Sequence, residues 1–136
     1  MITRKLSFCS EELESQLMTL GTEVDFPKDD IIIRPGDEFT HLFLLIRGRV
    51  ALYRTNERGE KHMVYVMNGA CPCAMSMVSS IFGKKSTVEA VVESDAHALV
   101  ISRDVGRELM ASNKEWQELV LNSVLDAWQD SLDMLD

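Results

Sequence analysis

Apolar positions recur every three or four residues near the start of the chain, cluster in short runs through its middle, and return to helical spacing at its end. Leu13, Leu17 and Leu20 fall on one helical stripe. Ser10 suits an N-cap, Glu11 and Glu12 suit the positive end of the dipole, and Gly21 suits the C′ position, so the pattern predicts a short helix over residues 10–21. From residue 23 to residue 102 the apolar runs are 24–26, 31–33, 42–46, 50–53, 63–67, 88–92 and 98–101. Turn residues separate them: Pro35-Gly36-Asp37, Gly48, Gly59 and Gly69. Short β-rich runs at this spacing predict a roll of strands. Residues 56–59 read as a hairpin turn. Runs 31–33 and 42–46 lack alternation, which suits strands covered on both faces.

The end of the chain is helical again. Ser102 caps a segment over 103–112 in which Gly106 is a weak position, costing up to about 1 kcal/mol relative to alanine. Asn113 caps a longer helix over 114–136 that carries two apolar stripes. Trp116, Val120, Val124 and Ala127 form one; Leu121, Leu125, Trp128, Leu132 and Leu135 form the other, with spacings of 4, 3, 4 and 3. That alternation is the seam of a coiled coil. One stripe covers the roll and the second meets a partner helix, which predicts a homodimer; burial of both stripes within one subunit is the competing reading.

Composition narrows the classes. The 136 residues form a single domain, 1–136, of which 46% are hydrophobic and 26% charged. No apolar run approaches the roughly 20 residues that span a bilayer, and no apolar stretch follows Arg4 and Lys5 as a signal peptide would require, so no membrane is involved and the cytoplasm is expected. The net charge is −8, and from Lys114 onward six acids face a single base. Affinity for nucleic acid comes chiefly from Lys and Arg on phosphates, so this chain is not expected to bind DNA by itself. Cys9, Cys71 and Cys73 are too few and too scattered for a disulfide framework or a structural zinc site. His41, His62 and His97 lack the spacing of a cupin-type metal centre, and no Ser-His-Asp or P-loop pattern occurs. No enzyme, no metal site and no catalytic cofactor are expected.

Three stretches carry a resemblance: Phe26-Pro-Lys-Asp-Asp-Ile-Ile-Ile-Arg-Pro-Gly-Asp37, Leu42-Phe-Leu-Leu-Ile-Arg-Gly-Arg-Val-Ala-Leu-Tyr53, and the landmarks Gly59, Gly69 and Ile101-Ser102. Over residues 13–136 the chain resembles the cyclic-nucleotide-binding domain fold, and more specifically the sensor half of Crp/Fnr-type bacterial transcription regulators. The resemblance implies a mainly β, double-stranded β-helix or jelly roll. A short N-terminal helix precedes it and a long C-terminal dimerisation helix follows. It also implies that DNA is reached only through a helix-turn-helix domain absent from this chain.

Nucleotide-binding members of that family carry Phe-Gly-Glu after a glycine turn and an Arg before the next strand. Glycine lets the amides of a short helix N-terminus approach the cyclic phosphate, Glu holds the ribose hydroxyl, and Arg supplies a forked countercharge. Here residues 68–76 read Asn-Gly-Ala-Cys-Pro-Cys-Ala-Met-Ser. Aligned on Gly69, Pro72, Cys73 and Ala74 stand where Phe, Gly and Glu would; aligned backward from Ile101-Ser102, Ser86 takes the Arg position, just after Lys84 and Lys85. Each lost charge-assisted bond costs about 1.5–3 kcal/mol, so the cassette is degenerate and tight cAMP binding is not expected.

The expected effector pocket comprises Gly69, Ala70, Cys71, Cys73, Ala74, Met75, Ser76, Lys84, Lys85, Ser86 and Thr87. Ser131 joins it where the family's helix touches the ligand's base, with Trp128 one turn earlier. Met63, Met67, Met75 and Met77 would give an adaptable lining, or simply fill the core. The effector, a small molecule, is not identified by these residues. Two other readings stay open. In one, the chain is a redox or haem sensor: Cys71 and Cys73 act as a thiol pair whose pKa Lys84 and Lys85 lower, or His41 or His62 ligates haem iron. In the other, it is a stand-alone dimeric adaptor with an unused pocket. His97 is expected to cap or to face solvent.

Overall fold

The computed structural model describes residues 4–135; residues 1–3 and Asp136, which the predicted spans 1–136 and 114–136 include, lie outside the described residues. The chain runs α1 (Glu11–Leu20), β1 (Thr22–Phe26), β2 (Ile31–Ile33), β3 (His41–Thr55), β4 (Lys61–Asn68), β5 (Cys71–Pro72), α2 (Ala74–Phe82), β6 (Glu89–Ser102), α3 (Arg103–Ser112) and α4 (Lys114–Asp133). The strands pair antiparallel in the order β1-β6-β3-β4, with β2 added to β6 and β5 added to β3.

Two long strands organise the roll. The runs at 42–46 and 50–53 are one strand, β3, and those at 88–92 and 98–101 are one strand, β6. They pair from His41↔Ser102 to Tyr53↔Glu89, with register shifts between Leu45 and Val50. Before the shift, Leu42 and Leu44 point toward the helices and Leu45 points into the roll; after it, Val50 and Leu52 point into the roll. An extra residue in one strand exchanges the two faces of everything beyond it, and this bulge makes that exchange. Gly48 sits at the shift with φ +104°. A Cβ there would lie 2.6 Å from Ala96 Cα and 2.6 Å from the Asp95 carbonyl oxygen.

Two apolar cores result. Leu42, Leu44, Leu99 and Ile101 on the sheet meet Leu13 and Leu17 of α1, Met77 and Ile81 of α2, Leu109 of α3, and Trp116, Leu119 and Val120 of α4. Inside the roll, Ile33, Phe39, Leu45, Val50, Leu52, Tyr65, Met67, Cys73, Val88, Ala90, Val92 and Ala96 form the second. Residues 42–46 are thus covered on both faces, whereas in β2 Ile31 is exposed.

Local signals set the helix ends. The Leu13 N–H donates to Ser10 Oγ (3.1 Å), the Val105 N–H to Ser102 Oγ (3.3 Å) and the Trp116 N–H to Asn113 Oδ1 (2.9 Å). Gly21 does not adopt the left-handed conformation its sequence position suggested; it is extended at φ −110° and ψ 178°. Its role is close approach, because a Cβ would stand 2.9 Å from the Leu99 side chain. Helix α2 has no counterpart in the predicted elements.

Along α4 the two stripes separate. Trp116 and Val120 are buried while Ala127 is half-buried and Val124 exposed; Leu121, Leu125, Trp128, Leu132 and Leu135 are all exposed. Leu135 follows the last helical residue, Asp133, in a turn. No helix among the described residues is long and apolar enough to cross a membrane.

Substituting Gly48→Ala forces a Cβ into backbone atoms at a positive φ, and we expect a loss of about 2–4 kcal/mol in unfolding free energy, measured by urea titration. Gly36→Ala, also at positive φ but with open space around it, is expected to cost clearly less.

Candidate effector site

The segment from Gly69 to Val88 joins β4 to β6 and carries most of the residues singled out in sequence. Gly69 turns the chain at φ 70°, its N–H donating to the Gly48 carbonyl at 3.0 Å. Ala70 and Cys71 are half-buried, and Cys71 pairs with Leu45 across β5–β3. Cys73 is the N-cap of α2 and is wholly enclosed by the roll, its N–H donating to the Phe43 carbonyl at 3.0 Å. Its sulfur neighbours the amides of Met75 and Ser76 and the Tyr65 hydroxyl. That hydroxyl also accepts the Met75 N–H at 3.4 Å. The start of α2, where an anion would be expected to sit, therefore faces a thiol and a phenol. Ala74 is buried and Met75 half-buried against the same core.

The serines are consumed by the scaffold. Ser76 Oγ accepts the Phe43 N–H (2.9 Å) and donates to the Cys73 carbonyl (3.0 Å), stitching α2 to β3. Ser86 is buried: its backbone bonds Gly36 and Asp37, and its Oγ donates to the Val88 carbonyl (2.8 Å) and accepts the Val88 N–H (3.1 Å). Lys84, Lys85 and Thr87 are exposed beyond the C-terminal end of α2, whose nine residues put about 13 Å between its ends. Ser131 lies on α4, its Oγ donating to the Ala127 carbonyl at 2.8 Å. Residues 69–76 thus form one cluster, the 84–87 group stands at the other end of α2, and Ser131 opens to a separate groove.

Little room remains inside. A void of about 50 Å³ lies between β5, the start of α2 and α4, with Cys71, Asp126 and Asp130 in its wall. Ligand pockets usually enclose about 300–1,000 Å³. An apolar cleft of about 200 Å³ runs beside Tyr65, Met75 and Val124. A larger groove, about 640 Å³, lies between β4 and the end of α4, bordered by His62, Met63, Trp128, Ser131 and Leu132. The methionines do not line one cavity: Met67 is in the roll core, Met77 in the helix core, and Met63 in this groove.

Electrostatics at the void oppose an anion. Burial raises the Cys71 thiol from 9.0 to about 11, with further contributions from Cys73, Asp130 and Asp126. Burial likewise pushes the Cys73 thiol up against the downward pull of Ser76, Met75 and Tyr65, and holds the Tyr65 phenol well above its ordinary range. Lys84 and Lys85 do not lower the thiols, contrary to their proximity in sequence. His41 and His62 stand toward opposite ends of β3, hydrogen-bonded to Thr40 (2.9 Å) and Asn56 (3.2 Å), and do not converge. His97 neither caps nor faces solvent but lies between two carboxylates, Asp25 at 2.6 Å and Glu23 at 2.7 Å. Tyr65, Asp126 and Asp130 belong to the site without having been picked out; only the four-residue spacing of the two aspartates hinted at a shared helix face.

The family description "Cyclic nucleotide-binding domain" matches residues 23–113. No curated protein matches the chain in sequence. Among solved structures, the catabolite activator protein of Thermus thermophilus superposes with a TM-score of 0.78 at 17% identity, over 98% of this chain and 63% of that one. CLP, the c-di-GMP responsive global regulator of Xanthomonas campestris, gives 0.79 at 12% identity, over 91% and 62%. A CooA mutant from Carboxydothermus hydrogenoformans gives 0.74 at 16% identity, over 98% and 83%. The fold is therefore the jelly roll of these proteins, and the chain spans under two-thirds of the first two.

A raised thiol keeps its proton in the folded state. Its contribution to stability is complete below the ordinary value of 9.0 and is lost as pH rises toward about 11. At pH 7.5 the thiolate fraction of Cys71 is far below that of an unfolded cysteine, and the greater nucleophilicity of a higher-pKa thiolate offsets only part of this, so iodoacetamide should modify it at least about tenfold more slowly than in urea. Mass spectrometry of the labelled peptide measures both rates, and equal rates would contradict the environment described.

Proposed function

The chain belongs to the cyclic nucleotide-binding domain family, and we propose that it is the effector-sensing part of a Crp/Fnr-type transcription regulator, homodimeric through α4, whose cassette does not hold cAMP tightly. The single observation that carries the reading is the filled start of α2. Cys73, Tyr65 and Ala74 pack together at the start of α2, and Asp126 and Asp130 set negative charge beside the void there, which supports a cassette unsuited to an anion. Ser86, at the position of the missing Arg, spends its hydroxyl on its own turn.

The dimer rests on α4. Its exposed stripe from Leu121 to Leu132 leaves four large apolar side chains in water, Leu121 at 64% and Trp128 at 61% exposure, which is costly unless another surface covers them. The 4-3-4-3 spacing supports a second copy of the same helix. In this reading an effector biases the arrangement of the two helices, and DNA is contacted by a domain beyond this chain. The protein works in the cytoplasm and is not an enzyme.

One observation favours a second reading. With about 50 Å³ beside Cys71 and about 200 Å³ beside Tyr65 and Met75, both under the usual volume of a ligand pocket, the roll also fits a dimeric adaptor that senses nothing. The thiol-sensor reading gains no such support, because both cassette thiols are held in the protonated form.

Light scattering on Leu125→Glu/Leu132→Glu should give monomers where the parent chain gives dimers; a dimer in both would refute the seam. A ligand at 100 times its Kd stabilises by about 2.7 kcal/mol, worth several degrees in Tm for a domain of this size. With 100 μM cAMP we therefore expect a shift under about 1 °C, and a rise of several degrees would overturn the reading of the cassette.

A further inference from the structure

The second feature of the molecule with defined chemistry lies away from the cassette, where the N-terminal segment, β1 and β6 meet. His97 is the register partner of Asp25 across β1–β6, and Glu23 lies two residues earlier on the same face of β1. The His97 ring therefore sits between the two acids, Nδ1 2.6 Å from Asp25 Oδ1 and Nε2 2.7 Å from Glu23 Oε1. The ring is 15% exposed, whereas the Glu23 and Asp25 side chains are 32% and 80% exposed, so the ring is held at the surface between two solvated carboxylates. Lys5 reaches Glu23 Oε1 at 2.8 Å, which extends the cluster into the N-terminal segment. That segment is docked by its own contacts: Leu6 is fully buried, its N–H donates to Glu14, and Arg4 pairs with Glu14 at 3.1 Å.

A neutral imidazole carries one N–H and one lone pair. With a carboxylate oxygen at hydrogen-bonding distance from each nitrogen, both bonds form only when both nitrogens carry protons. Removing one proton turns one bond into a contact between a lone pair and an anion. The other charged groups around the ring are Arg47, its register partner on β3, and Asp95, two residues earlier on β6, whose carboxylate is taken up by the Lys28 N–H at 2.8 Å.

We propose that His97 is a proton-operated clasp that fastens β1, and through Glu23 and Lys5 the N-terminal segment, to the central strand β6. On the acid side its limit is Glu23, whose carboxyl is held below the usual range by the bonds from Lys5 and then His97. The clasp is complete only in the window where both ring nitrogens carry protons and the Glu23 carboxyl is ionised, and it loosens once the ring gives up one proton. A change in proton concentration across the edge of that window would alter how firmly the N-terminal edge is held, independently of the cassette and of any effector.

Amide hydrogen exchange of the whole chain tests this, with rates corrected for the intrinsic effect of pH. From pH 5.5 to 8.5 the corrected exchange of Glu23, Val24 and Lys5 should rise about two- to fivefold, the worth of one partly exposed ion pair. His97→Gln should abolish that pH dependence, while His62→Gln should leave it intact. Nitrogen-15 NMR of the ring should show both nitrogens protonated at the acid end and the exchange change tracking the loss of one proton. A flat corrected profile in the parent chain, or a pH dependence that survives His97→Gln, would overturn the proposal.

Discussion

The requirement that the first half of β3 be buried on both faces organises this molecule. Leu42 and Leu44 need helices over one side of the sheet, while Phe43 and Leu45 need the roll on the other. A flat two-layer arrangement could not continue this to Thr55, because the far half of β3 has only the roll to pack against. The register shift at Gly48 answers that problem by exchanging the strand's faces, so that Val50 and Leu52 turn inward while the backbone stays paired with β6. Ala96 and Asp95 press so closely on Gly48 that no side chain fits, which ties the position of the kink to one residue.

The candidate site inherits its geometry from that arrangement. Helix α2 is anchored at its start by Ser76 bridging Phe43 and Cys73, on the doubly buried part of β3. Its first turn is consequently aimed into the roll, where the remaining question is what occupies the volume. Here the occupants are a thiol, a phenol and a methyl group, and the helix that closes the opening brings two aspartates. Apolar filling and negative charge are the two features on which the proposed loss of anion binding rests. The apolar stripe of α4 is a separate matter, since its side chains from Leu121 to Leu132 are exposed, the later ones bordering the groove beside β4.

The His97 cluster shows how the same sheet carries a second, electrostatic seam. Leu99 and Ile101, on the same face of β6, are in the helix core, and His97 stands at its rim where the N-terminal segment crosses. Burial at that rim is uneven, covering the ring while leaving the Asp25 carboxylate largely in water. Hydrophobic contacts of Leu6, Leu13 and Leu17 hold the N-terminal elements in place, and the ion pairs adjust how tightly.

Local signals settle local structure, and this chain is a clear case. The caps at Ser10, Ser102 and Asn113, the hairpin at residues 56–59, and the division of α4 into two stripes could all be read before any fold was known, because each depends on neighbours within four residues. The absence of the Phe-Gly-Glu and Arg groups was equally legible from residue identity. Other features needed the folded chain. Two pairs of runs became single strands because their junctions are bridged by partners more than forty residues away. Residues 74–82, by contrast, carry Ala74, Met77, Val78 and Ile81 at helical spacing, so this helix too was legible, and Ser76 anchors it to the roll. Tyr65, Asp126 and Asp130 joined the site, and Glu23, Asp25 and His97 met, only because the roll brings distant segments side by side. Such meetings are decided by burial and long-range pairing, which no short window of sequence contains.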